Sequence, residues 1–159
     1  MQSPSYEPWS PERAVEIISL HADREGALLP LLHALQHAFG HVPDDAVPLL
    51  AGALNLSRAD VHGVISFYHD YRRKPASGRV LKLCQAEACQ ARGVGKVTEE
   101  VEAALGSKIG GPSADGRVTF EPVYCLGLCA SGPAAMLDGR PIGRITPDRV
   151  AELVREARA

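Results

Sequence analysis

The sequence has no long apolar run and no excess of charge of either sign. No stretch approaches the roughly 18 consecutive apolar residues of a membrane-spanning helix, so we expect no membrane span. Lysine and arginine number 17 against 19 aspartate and glutamate, which gives a net charge of −2. This balance lacks the basic surface with which proteins bind nucleic acid or anionic membranes, and we expect neither partner.

Motifs for nucleotide binding and for common hydrolytic chemistry are also missing. There is no Walker A lysine motif and no G-x-S-x-G nucleophile motif, and Gly93-Val-Gly95 is only a fragment of a dinucleotide fingerprint. We therefore expect no catalytic residue, and no site for flavin, NAD or molybdenum cofactor. The start, MQSPSYEPWSPERA, lacks the charged and apolar regions of a secretory signal. The expected compartment is the cytoplasm, where thiols stay reduced.

Histidine and cysteine divide the sequence into two halves. The stretch RRKPASGR (72–79) carries Pro, Ser and Gly and is typical of a linker. The four cysteines all lie after it and the six histidines all lie before it. We predict two domains, residues 1–75 and residues 76–159. The histidines are His21, His33, His37, His41, His62 and His69.

Apolar residues at helical spacing predict four helices in the first half. Ser10 caps the first, whose apolar face we expect to contain Val15, Ile18 and Ala22. Ser57, with Asp60 three residues later, caps the fourth. Short connections between the four predict a compact helical bundle. The first predicted helix begins at Pro11, and the second covers about 28–39. The third runs from 44–45 to about 55, and the fourth begins after Ser57.

The second half alternates strands and helices. Residues 79–84 and 118–126 are apolar in alternation and predict two strands, with a helix from about 95 to 105 between them. Asp138-Gly139 between apolar runs predicts a hairpin, and Thr146 caps a last helix. The order β-α-β-β-α is that of a thioredoxin-like domain with two parallel strands joined by a crossover helix. The predicted fold class is α+β, a helical bundle followed by a thioredoxin-like α/β domain.

The four cysteines form two pairs, Cys84 with Cys89 and Cys125 with Cys129. The first and third cysteines each end a predicted strand. If those strands are neighbours, both pairs emerge at the same edge of the sheet, where four thiolates can hold a metal centre. Four thiolates also suit structural zinc, so the residues themselves leave iron–sulfur and zinc open. A thiol–disulfide active site is less consistent with them, because C-x-x-C is absent.

Two segments around these cysteines carry a family resemblance. LCQAEACQARG (83–93) and YCLGLCASGP (124–133) resemble the cluster-binding segments of the thioredoxin-like [2Fe–2S] ferredoxins. This family includes the 24 kDa subunit of NADH:quinone oxidoreductase and its relatives in NAD-reducing hydrogenases and NAD-dependent formate dehydrogenases. GHVP (40–43) and VHGVISFY (61–68) extend the resemblance to the first half. The positions that match the four family ligands are Cys84, Cys89, Cys125 and Cys129, and Gly127, Gly132 and Pro133 match the ligand loop.

The resemblance implies a non-catalytic electron-transfer subunit with one [2Fe–2S] cluster. FMN and NAD are then expected in a flavin- and NAD-binding partner subunit, and molybdenum cofactor in a molybdenum/iron–sulfur subunit. Gly132, where the more common family form has Ala, and the opening C-Q-A-E-A-C favour the gamma subunit of a soluble NAD-dependent formate dehydrogenase. The alternatives are the equivalent subunit of NADH:quinone oxidoreductase or of an NAD-reducing hydrogenase, and, from another class, a zinc-stabilised adaptor.

Other chemistry-bearing side chains predict no further site. His33, His37 and His41 are spaced as on one helix face, but Gly40 breaks that helix, and no Glu stands between them as in zinc-binding H-E-x-x-H. We expect ordinary surface or packed histidines. Phe67, Tyr68 and Tyr71 are candidates for a partner surface, but we expect them in the core of the bundle.

Overall fold

A computed structural model of the chain describes residues 6–159. Residues 1–5, which open both the MQSPSYEPWSPERA segment and the predicted domain 1–75, lie outside the described part. The chain divides into two compact units, one extending to Pro75 and the other covering Ala76–Ala159. Within residues 6–159, no helix has the length and apolar character needed to cross a bilayer.

The first unit is a bundle of four helices over its described residues. Ser10 caps α1 by accepting a hydrogen bond from the Arg13 N–H, and Ser57 and Asp60 form a reciprocal capping box at the start of α4. Both caps agree with the sequence prediction. The helices are α1 Pro11–Ser19, α2 Leu28–Phe39, α3 Ala46–Leu54 and α4 Arg58–Phe67.

The core of this unit is built mainly from Leu, Ile, Val and Ala, with Trp9 set edge-on against the buried ring of Phe39. The apolar face predicted for α1 is partly wrong. Val15 is 51% exposed, whereas Ala14, Ile17 and Ile18 are buried. The helix is therefore rotated from the predicted orientation, because its alternative 14/17/18 stripe packs against the bundle.

The second unit is a five-stranded mixed sheet with helices, within residues 76–159. The sheet order is β2-β3-β1-β4-β5; β1 and β3 are parallel, and the other neighbouring strands are antiparallel. The helix α6 joins the two parallel strands, as the crossover prediction requires. The elements are β1 Arg79–Cys84, α5 Glu87–Ala91, α6 Val94–Leu105, β2 Gly111–Pro112, β3 Val118–Val123, a 3-10 turn Cys129–Ser131, β4 Ala135–Leu137, β5 Arg140–Ile142 and α7 Pro147–Arg158.

Pro122 interrupts the apolar pattern of β3 without breaking the strand. The neighbouring strand β2 pairs only with Thr119 and Phe120, so β3 is an edge strand at Pro122. Proline is tolerated on such an edge because no partner there needs its missing N–H. β3 thus keeps its pairing with β1 up to Val123, which brings its end beside Cys84.

Asp138 anchors the predicted two-residue hairpin turn to β1. It has φ +47° and is followed by Gly139 at φ +83°, the left-handed pair that such a turn requires. Its Oδ1 accepts the Val80 N–H at 2.8 Å, and its Oδ2 accepts Arg79 Nε at 2.5 Å. The Arg79 and Asp138 side chains are only 10% and 15% exposed. Arg79 Nη1 also donates to the carbonyl of Glu156, so the network joins the sheet to α7.

Replacing Asp138 with Asn should destabilise the second unit by about 3 kcal/mol, because the nearly buried Arg79 would lose its counter-charge. Urea unfolding followed by far-UV circular dichroism measures this loss. The single tryptophan, Trp9, belongs to the first unit, so its fluorescence transition should not move. Arg140→Met is the matched control, because its pair with Glu156 is 48% and 47% exposed and should contribute less than ~1 kcal/mol. Equal midpoints for Asp138→Asn and wild type would contradict this account of the network.

Candidate metal centre

Parallel pairing of β1 and β3 brings the two cysteine pairs to one edge of the sheet. Cys84 is the last residue of β1 and pairs with Val123, the last residue of β3. Cys125 follows two residues later. The N–H of Gln85 donates to the Val123 carbonyl at 2.8 Å, which continues the pairing just past the strand ends. Residues more than 30 positions apart in the sequence are therefore adjacent here.

The first cysteine pair is buried. Cys84 is 3% exposed and Cys89 is 2% exposed. Cys89 lies on the short helix α5, whose start at Glu87 turns the chain back over the end of β1. The two thiols are close enough to affect each other's pKa. The first pair thus lies together in the interior of the second unit.

The second pair lies on an exposed loop of unusual backbone. Cys125 and Cys129 are both exposed. Cys125 has φ +86°, rare for a residue with a side chain, and Gly127 has φ +71°. The Gly127 N–H donates to Cys125 Sγ at 3.4 Å, while Cys129 begins the 3-10 turn. The loop therefore presents its sulfur atoms and its N–H groups from the same short segment.

Consecutive N–H groups of this loop are directed at the sulfur of the first pair. The backbone N–H groups of Cys125 and Leu126, like that of Ala86, lie close enough to Cys84 Sγ to lower the pKa of that thiol. Successive N–H groups that converge in this way form an anion-binding concavity of the kind found at iron–sulfur sites. This arrangement suits a sulfur atom that carries negative charge.

Burial and these hydrogen bonds affect the two inner thiols differently. Burial alone would raise the pKa of Cys84, but the hydrogen bonds from Ala86, Cys89, Cys125 and Leu126 outweigh it and lower that pKa below its ordinary value. Burial, and then the hydrogen bond to Cys84, raise the pKa of Cys89. Cys84 is accordingly the first of the two to become a thiolate.

Four thiolates in two pairs can serve either one metal ion or two, and the candidate ligands here are one buried pair and one exposed pair. One Zn²⁺ would require four thiolates in a tetrahedron around one point. A [2Fe–2S] cluster instead takes two ligands on each of two irons, which suits a buried pair beside an exposed pair. Cys89 and Cys129 are already close enough to interact electrostatically.

The second loop is held in place by residues 143–145, which follow β5. The sequence did not indicate this support. A Cβ at Gly143 would lie 2.9 Å from Ser131 Cβ and 3.0 Å from the Ser131 carbonyl oxygen, so only glycine fits without a shift. The Arg144 N–H donates to that carbonyl at 2.6 Å, and the Ile145 N–H donates to the carbonyl of Pro133 at 3.0 Å. No local motif announces such an approach, because the two segments meet only in the folded sheet.

The first unit contains all the histidines and no cysteine, and among its described residues no three His, Asp or Glu side chains are gathered around one ion position. His33 and His37 are exposed, and His41 Nδ1 lies 3.0 Å from the carbonyl oxygen of Phe39. The prediction that Phe67 and Tyr68 are core residues is wrong, since they are 73% and 43% exposed. Both lie where α4 ends, beyond its buried face, whereas Tyr71 is buried as predicted.

Comparison with known proteins defines the class of this chain. Residues 14–158 match the family described as thioredoxin-like [2Fe-2S] ferredoxin. The chain belongs to that family. The match confirms both the family resemblance and the α+β fold class, and it supports a single [2Fe–2S] cluster.

Relatives from two kinds of oxidoreductase are similar over most of the chain. A subunit of the NADH-quinone oxidoreductase of Pseudomonas aeruginosa is 36% identical over 134 residues, which cover 84% of this chain and 81% of that protein. The HndA subunit of the NADP-reducing hydrogenase of Solidesulfovibrio fructosivorans is 30% identical over 142 residues, which cover 89% and 83%. A solved NAD+-reducing [NiFe]-hydrogenase is similar with a TM-score of 0.68 and 26% identity over 82% of this chain, which spans 22% of that hydrogenase chain.

Replacing Cys125 with Ala should remove most or all bound iron, because a cluster held by both cysteine pairs would itself tie the two loops together. Iron and acid-labile sulfide in the purified variant measure this loss. His37→Ala is the control and should retain wild-type iron, since His37 lies on α2 in the other unit. A Cys125→Ala protein with full iron content, or loss of iron in His37→Ala, would show that the ligands are assigned wrongly.

Proposed function

We propose that this chain is an electron-transfer subunit that carries one [2Fe–2S] cluster on Cys84, Cys89, Cys125 and Cys129. The observation that carries the proposal is the meeting of both cysteine pairs at the ends of β1 and β3, with loop N–H groups directed at Cys84 Sγ. Membership of the thioredoxin-like [2Fe-2S] ferredoxins supports it.

The residues of the chain have distinct tasks in this function. The cluster supplies a one-electron Fe(III)/Fe(II) couple when bound. Cys84 and Cys89 hold the buried side of the site, and the Cys125–Leu126 N–H groups offset negative charge on sulfur. Cys125 and Cys129 lie on the exposed side, where an electron can enter and leave through the ligand loop.

A flavin-bearing partner is expected on chemical grounds. NADH gives up two electrons as a hydride, and a flavin must separate them before a one-electron carrier can accept them. We place FMN and NAD in a partner subunit, because the sequence carries no complete motif for either. The names of the relatives, which belong to an NADH-quinone oxidoreductase and an NADP-reducing hydrogenase, support a nicotinamide-linked complex. The proposed compartment is the cytoplasm.

The sequence features and the relatives favour different parent complexes for this chain. Gly132 and the C-Q-A-E-A-C segment favour a formate dehydrogenase, whose second partner would carry molybdenum cofactor and iron–sulfur clusters. The relatives favour NADH:quinone oxidoreductase or a hydrogenase. The three share the proposed role of this chain, and the subunits that co-purify with it in its own organism distinguish them.

The purified protein should contain two irons and two sulfides per chain, and an EPR signal should appear only on reduction. Iron, zinc and acid-labile sulfide analysis of protein isolated without air tests this directly. One zinc per chain without sulfide would overturn the proposal in favour of a zinc-stabilised adaptor.

The isolated chain should stay oxidised when it is mixed with NADH, and dithionite should reduce it. Addition of the flavin-bearing subunit should let NADH reduce the cluster, measured as bleaching of its visible absorbance. The matched control is the same mixture with flavin removed from the partner. Rapid reduction of the isolated chain by NADH would mean that the flavin or nucleotide site has been placed in the wrong subunit.

A further inference from the structure

Two charged residues lie within the ligand segments 83–93 and 124–133. They are Glu87 and Arg92, so Arg92 is the single cation of these segments. Arg92 ends α5, three residues after Cys89, and its side chain is exposed. Its position in space is more informative than its position in the sequence.

The arm of Arg92 crosses from the first ligand segment to the second. Its Nη1 donates a long hydrogen bond of 3.4 Å to the carbonyl oxygen of Cys129. Its backbone N–H donates to the carbonyl of Cys89 at 3.2 Å. The guanidinium group thus lies beside the backbone of Cys129, while the backbone of Arg92 is hydrogen-bonded to that of Cys89.

Gly132 lies beside this crossing. A methyl group at position 132 would lie 3.3 Å from Cys89 Sγ, 3.4 Å from Arg92 Cδ and 3.5 Å from the Cys129 carbonyl oxygen. The distance to the sulfur is the tight one, and the other two are ordinary van der Waals contacts. The Arg92 arm is thus packed at the junction of the two ligand segments.

We propose that Arg92 is a positioning residue that raises the reduction potential of the cluster. This inference rests on the proposed function. Uptake of one electron from the partner adds one negative charge to the site, with no bond broken and no proton required. A cation nearby favours the more negative, reduced state. Because Arg92 is exposed, the effect is screened and therefore moderate.

Redox titration of the full-length protein, followed by visible absorbance and by EPR of the reduced state, tests this role. Arg92→Gln keeps a donor but removes the charge. At the wild-type midpoint, its ratio of reduced to oxidised cluster should be about threefold lower, a shift of ~28 mV for a one-electron couple. Arg92→Lys should restore most of the wild-type potential. The difference between Arg92→Gln and wild type should shrink in 1 M salt.

Arg155→Gln is the matched control for loss of an exposed arginine. Arg155 adjoins Glu156, whose carbonyl accepts a hydrogen bond from Arg79, the first residue of β1. Cys84 is the last residue of that strand, so the control removes a cation next to the opposite end of β1. Arg155→Gln should leave the potential unchanged.

Each outcome decides the proposal. Equal potentials in Arg92→Gln and Arg155→Gln, or no recovery of the potential in Arg92→Lys, would overturn it. Loss of iron from Arg92→Gln would also overturn it, since Arg92 would then be needed to assemble the site. Failure of the proposed function is distinguishable, because wild-type protein would then contain no iron and sulfide at the start of the experiment.

Discussion

The parallel pairing of β1 and β3 is the constraint on which the rest of the second unit depends. It can form only if the chain between the strands crosses over the sheet, and α6, with its buried row of Val94, Val97, Val101 and Leu105, provides that connection. The pairing runs to Cys84 and Val123, so both ligand segments begin at the same level. Were β3 shifted by one residue, its side chains would exchange faces and Cys125 would leave the edge at this level.

Much of the fold was predictable because its signals lie in short stretches of the sequence. Caps such as Ser10 and Ser57, the Asp138-Gly139 turn and the apolar rows of long helices are local signals, and each corresponds to an observed element. The five-residue α5 and the two-residue β2 were missed, because neither is long enough to show a period. The rotation of α1 and the exposure of Phe67 depend on what packs against them, which no local pattern contains.

The candidate site was likewise predictable only in part. The spacing of the cysteines and the predicted strand ends were sufficient to place both pairs at one edge. The supports of the second loop were not predictable, because they join residues distant in sequence. Gly143 faces Ser131, and Arg92 reaches the carbonyl of Cys129 across 37 positions. Nothing in either local sequence distinguishes these residues from ordinary surface positions.

The left-handed conformation of Cys125 shows how sulfur and loop depend on each other. Such a backbone costs on the order of 1 kcal/mol or more for a residue with a side chain, and it persists only where its surroundings impose it. Here the same conformation directs two successive N–H groups at Cys84 Sγ. Without those N–H groups the buried thiol would resist ionisation. The strained turn of the exposed loop therefore favours negative charge on the buried sulfur.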